Sequence, residues 1–113
     1  MTPDDFRRLA LSQPEAVEVF RRGHSEFRVL RKTFASLEGP ADSVVMIQLT
    51  PEQQSMFVQA APRTFVPLPG GWGRLGATNV VLAHAKETIV GSALALAWRN
   101  IAPKSLLKST DEP

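Results

Sequence analysis

Five of the thirteen basic residues fall within twelve positions. Arg21, Arg22, Arg28, Arg31 and Lys32 lie between residues 21 and 32, where the one acid is Glu26. The chain as a whole carries a net charge of only +2, so its positive character is concentrated in this segment. Guanidinium and ammonium groups at this density suit phosphates, on nucleic acid or on a small anion. The competing account is a solvated, charged hairpin that keeps an exposed strand edge from pairing with another chain. Phe27 and Phe34 are interleaved with the bases, but their alternation suggests core rather than base stacking.

Other chemistries find little support. His24 and His84 are the only imidazoles and lie sixty positions apart. The acids closest to them are Glu26 and Glu87, and no metal site is expected. His24 reads as a turn residue or surface donor. The chain has no cysteine, which excludes disulfides, thiolate metal sites and a cysteine nucleophile. No Gly-x-Ser-x-Gly elbow is present, and Ser92 falls inside an expected helix. Gly70-Gly71-Trp72-Gly73 is glycine-rich, but no lysine follows it as a phosphate loop requires. It reads as a loop that lets Trp72 tuck into the core. Arg74 beside it is a further anion-binding candidate, since loops carry function. No catalytic residue and no cofactor are expected.

The elements that would position these residues can be read locally. Thr2-Pro3-Asp4-Asp5 and Thr50-Pro51-Glu52-Gln53 share a helix-start signature, a capping threonine followed by proline at the first helical position. Gln53 can complete a capping box. The first helix is expected to reach about Ser12, with Phe6, Leu9 and Ala10 on one face. The second is expected over Pro51 to Ala61, burying Met56, Phe57 and Ala60. Pro14 and Pro62 stop them.

Phe27 and Val29 alternate with Glu26 and Arg28, the period of a half-buried strand. Thr33, Ala35 and Leu37 continue the alternation after a break at Leu30-Arg31-Lys32, which implies a hairpin. This hairpin is expected to bring the five bases together. Val44 to Ile47 is a continuous apolar run, expected as a central strand after a turn at Gly39-Pro40-Ala41-Asp42. A strand is expected around Asn79 to Leu82, after an irregular stretch. A last helix is expected over about Ala85 to Asn100, with Ile89, Ala93 and Leu96 on one face and Val90, Leu94 and Ala97 beside them. Trp98 is expected in the core.

The expected fold class is therefore α+β: an antiparallel sheet of about five strands with helices on one face, in the order α-β-β-β-α-β-α. One domain is expected over residues 1–107, with a flexible tail over 108–113. No apolar run approaches the ~18 residues that span a membrane, and the acidic N-terminus has no signal-peptide pattern. A cytoplasmic protein without membrane attachment is expected.

Several segments together resemble the MmcQ/YjbR family of small bacterial proteins. They are Leu11-Ser12-Gln13-Pro14-Glu15-Ala16-Val17-Glu18, Gly23-His24-Ser25-Glu26-Phe27-Arg28-Val29 and Lys32-Thr33-Phe34-Ala35-Ser36-Leu37 in the first half. Leu49-Thr50-Pro51-Glu52-Gln53-Gln54, Gly71-Trp72-Gly73-Arg74-Leu75-Gly76-Ala77-Thr78, and Ala97-Trp98-Arg99 with Ala102-Pro103-Lys104 follow in the expected order. The family often has glycine before the lysine, where this chain has Arg31. The resemblance implies a frataxin-like, double-wing α+β fold and a DNA-binding label assigned largely by fold analogy. Iron binding, which a frataxin-like shape also raises, would want an acidic ridge on the first helix; that helix offers only Asp4 and Asp5.

Three functional readings follow. The first is a non-enzymatic binding module for DNA or another polyanion through Arg21, Arg22, His24, Arg28, Arg31, Lys32 and Arg74. The second is a small-ligand protein or enzyme with a pocket near Trp72, Arg74 and His24. The third is a protein-interaction module that pairs through a sheet edge, with a chain that is monomeric or a weak homodimer.

Overall fold

The structure is a computed structural model that describes residues 1–37 and 44–111. Both threonine caps form as closed capping boxes. Asp5 N donates to Thr2 Oγ1 at 3.1 Å and Thr2 N donates to Asp5 Oδ2 at 2.9 Å, opening α1 (Pro3–Leu11). Gln53 N donates to Thr50 Oγ1 at 3.1 Å and Thr50 N donates to Gln53 Oε1 at 3.0 Å, opening α2 (Pro51–Ala60). Each box satisfies two backbone donors that a helix start otherwise leaves unpaired.

Between these helices run β1 (Ala16–Arg21), β2 (His24–Val29), β3 (Lys32–Leu37) and β4 (Val44–Gln48). After α2 come β5 (Phe65–Pro67), a short α3 (Gly70–Arg74), β6 (Ala77–Val81), a 3-10 turn over Leu82–His84, α4 (Glu87–Ile101) and α5 (Lys104–Asp111). The strands form one antiparallel sheet in the order β1-β2-β3-β4-β6-β5. The expected fold class therefore holds, with six strands in place of about five. The three-residue β5, the short α3 and the closing α5 are the added elements. Val44 to Ile47 is the interior strand expected. The turn expected at Gly39 to Asp42 lies outside the described residues.

Two rows of side chains cross the sheet on its helix-covered face. One runs Ser25, Leu37, Val45, Val80, Phe65; the other runs Phe27, Ala35, Ile47, Thr78, Pro67. Phe6 of α1 meets Phe27 edge-on, with ring centroids 5.9 Å apart. Val90, Ala93, Leu94, Ala97 and Trp98 of α4 complete the core. The Trp98 indole N–H donates to the carbonyl of Pro14 at 2.8 Å, so a buried polar edge is satisfied.

Three packing expectations are corrected. The alternation Thr33, Ala35, Leu37 breaks because Phe27 pairs with Ala35 but Arg28 pairs with Thr33, which leaves Phe34 as an extra residue in β3. Phe34 joins the core, while Thr33 donates its hydroxyl to Glu26 on the other face. In α2, Met56 and Ala60 are exposed. The helix docks one step further round, through Gln54, Phe57 and Val58. The Gln54 amide nitrogen lies within 3.1 Å of the carbonyls of Gly73 and Ala77, and Phe57 packs on Phe65 at 4.9 Å. Trp72 is not in the core either, and its place belongs to the site.

Candidate functional site

The β1–β2 hairpin closes on Arg22 and Gly23, whose φ values of 51° and 84° fit a two-residue type I′ turn. The β2–β3 hairpin closes on Leu30 and Arg31 at the opposite end of β2. Five residue steps separate His24 from Val29, or roughly 17 Å of extended chain. Arg21, Arg22 and His24 therefore sit at one end of the sheet, and Arg31 and Lys32 at the other. The structure does not bring the five bases together, because each of two successive tight turns keeps its own cations.

Arg28 lies between the two ends and is neutralised. Its guanidinium donates to Glu26 Oε1 at 3.1 Å from Nε and 2.6 Å from Nη2. The Thr33 hydroxyl donates to the same oxygen at 2.9 Å, and His24 Nε2 stands 3.4 Å from Glu26 Oε2. These partners hold the Glu26 carboxyl down at about 2, from an ordinary value of 4.5; the Arg28 hydrogen bonds weigh most and the Thr33 hydroxyl next. The depressed carboxyl adds stability that is complete above pH 4.5 and disappears as pH falls through about 2. Glu26→Gln should flatten that acid limb. We expect wild type to lose on the order of 1 kcal/mol more than the variant between pH 5 and pH 2.5, measured by urea midpoints.

The far end of the sheet gathers more than the sequence suggested. β4 and β6 end and begin there, since Gln48 pairs with Ala77, and Leu49 N donates to Gly76 O at 3.3 Å. This places α3, and with it Arg74, at the same end as Arg31 and Lys32. Two strand spacings, about 10 Å, separate β3 from β6. The C-terminus of α4 arrives there too, because the Asn100 amide donates to Gln48 O at 3.1 Å. Lys104 begins α5 just beyond it. Arg31, Lys32, Arg74 and Lys104 make no ion pair among the described residues.

Trp72 is 70% exposed at this end, contrary to the expectation of a core indole. The glycines explain the reversal. Gly73 is the buried residue of α3, and a Cβ on it would stand 1.7 Å from the Leu68 carbonyl oxygen. The bare backbone of Gly73 therefore faces the protein, and the indole one helical step away turns outward. Leu75 and Leu30 are also exposed here, at 74% and 62%. Lys104 and Leu30 escaped the sequence reading. Lys104 needed the α4 trajectory, while Leu30 carried a signal of its own: a leucine in a two-residue hairpin turn that normally takes glycine or asparagine.

A cleft of about 520 Å³ opens at this end, lined by Val29, Leu30, Arg31, Lys32, Ile101 and Pro103. A pocket joining Trp72, Arg74 and His24 does not form, because His24 and Arg74 lie at opposite ends of the sheet and three strands apart. Among the described residues no group of three or more histidine, aspartate or glutamate side chains is placed to hold a metal ion. No helix among them is long and apolar enough to cross a membrane.

Fold and surface together define a small α+β domain whose antiparallel sheet carries helices on one face and a basic, partly apolar surface at one end. No family model matches the sequence, and no curated protein matches it. Among solved structures the chain is similar to Deinococcus radiodurans protein DR2400, a DUF419 domain. The two superpose with a TM-score of 0.75 at 21% identity, over 99% of this chain and 89% of that one. At that identity the likeness establishes the fold.

Proposed function

We propose that this chain is a non-enzymatic binding module for nucleic acid, with single-stranded DNA as its best ligand, held at the β2–β3-turn end of the sheet. The observation that carries the reading is that Arg31, Lys32, Arg74 and Lys104, none in an ion pair among the described residues, lie at the same end of the sheet as an indole that is 70% exposed. Cations that track a phosphate backbone, with an aromatic face for stacking, are the two components of sequence-tolerant single-strand binding. Arg28 leaves the proposed set because Glu26 already holds it. The DUF419 fold is related to the MmcQ/YjbR-like fold, which supports reading the chain as a member of that family with its frataxin-like, double-wing description.

The test is a salt series with a labelled single strand and a labelled duplex, followed by anisotropy. Four phosphate contacts predict a slope of log affinity on log salt of about −2.8 for the single strand. Micromolar binding at about 50 mM salt is expected, weaker for the duplex, and Trp72→Ala should cost about 1–3 kcal/mol on the single strand alone. Absence of binding to either ligand at that salt ends the proposal.

A further inference from the structure

The cleft between the β2–β3 turn and the α4–α5 junction has properties that a phosphate backbone would not use. Its floor is Val29, which is fully buried, and its walls are Leu30, Ile101 and Pro103. Among the described residues its polar side chains are two cations, Arg31 and Lys32, and no carboxylate lines it. Its volume of about 520 Å³ falls in the range of small-molecule sites, which are mostly apolar with a few placed polar groups. We propose that it is a binding site for a small amphipathic anion: a carboxylate carried on an aliphatic or aromatic body.

Charge complementarity selects the head group. Both cations lack an ion-pair partner among the described residues, and a carboxylate can accept two parallel N–H donors from the Arg31 guanidinium. The apolar walls select the body. A bare inorganic anion would leave Leu30, Ile101 and Pro103 facing water, and a neutral body would leave both charges unmatched.

Leu30 adds an independent observation. Its φ is +56°, in the left-handed region that disfavours a bulky side chain. The two-residue turn imposes this φ, as it does at Arg22 in the other hairpin, yet here it holds an apolar side chain where glycine would fit without strain. Here the strained residue stands in the cleft wall and is 62% exposed, so an apolar body seated beside it would cover a side chain that the fold leaves open.

Methyl and amide NMR titrations test this with octanoate, octanol and inorganic phosphate as probes. Octanoate should move the signals of Val29, Leu30 and Ile101. Octanol should bind about tenfold more weakly, and phosphate should leave those methyls in place. The double variant Arg31→Gln/Lys32→Gln should lose about tenfold for octanoate and nothing for octanol. Leu30→Gly relieves the backbone, so it should melt no lower than wild type while binding octanoate less tightly. Equal binding of octanoate and octanol, shifts centred elsewhere, or no shift at millimolar octanoate would each overturn the proposal. No nucleotide is present, so failure here leaves the nucleic-acid reading standing, and failure of the oligonucleotide series leaves this one standing.

Discussion

Gly76→Ala is expected to lower stability by about 3–5 kcal/mol, a large share of what a domain of this size has to lose. A Cβ at this position would stand 1.9 Å from the carbonyl oxygen of Leu49 and 2.8 Å from its carbonyl carbon, both backbone atoms that cannot rotate away. The residue also has φ +110°, which disfavours any side chain. Relief would require moving the start of β6 from the start of α2. That would strain the Thr50 capping box and the Gln54 contacts with Gly73 and Ala77. Thermal melts should show a fall of at least about 10 °C. Gly91→Ala supplies the contrast. It lies inside α4, and the nearest atom to its added Cβ is Leu9 Cδ2 at 4.0 Å, an ordinary contact. That substitution should stabilise by about 1 kcal/mol, since no close packing requires the glycine. A Gly76→Ala variant that melts with wild type would show that β6 and α2 do not approach as described.

The second large effect concerns binding. Arg31→Gln/Lys32→Gln should weaken single-stranded DNA binding about tenfold at ~50 mM salt and make the salt slope shallower by about 1.4. Arg21→Gln/Arg22→Gln should change neither by a comparable amount. The two pairs are matched in charge, and each spans one turn residue and the adjoining strand residue of a tight two-residue hairpin at one end of β2. Net charge alone would therefore predict equal losses. Only location separates them: Arg31 and Lys32 share their end of the sheet with Trp72, Arg74 and Lys104. Anisotropy titrations at several salt concentrations measure both slopes. Since both variants replace exposed side chains, their melting temperatures should stay close to wild type.

Features governed by neighbours in sequence were the legible ones. Each capping box depends on residues three apart, so Thr2 and Thr50 announced their helices. The alternation at Glu26, Phe27, Arg28 and Val29 is set by the pleat, and it placed Phe27 and Val29 in the core. Trp98 is in the core, the ordinary place for a tryptophan in a helix that packs on a sheet. Features decided by distant partners were hidden. Trp72 faces outward because Gly73 meets Leu68 across a loop. The extra residue Phe34 moves Thr33 to the Glu26 side, which no local pattern requires. The bases divide between two ends because the hairpins turn at opposite ends of β2, a matter of topology rather than composition. The cleft needs Ile101 and Pro103 to reach a turn some seventy positions earlier.

Both ends of the sheet carry bases and an exposed aromatic, Phe20 beside Arg21 and Arg22 at one end and Trp72 at the other; Arg74, Lys104 and the apolar cleft are what the β2–β3-turn end adds. The most direct measurement is the amide and indole NMR map of the protein as a single-stranded oligonucleotide is added at low salt. The account predicts shifts at Leu30 to Thr33, at Gly71 to Gly76 including the Trp72 indole N–H, and at Ile101 to Ser105. Shifts centred on Phe20 to His24, with Trp72 and Arg31 unmoved, would contradict it.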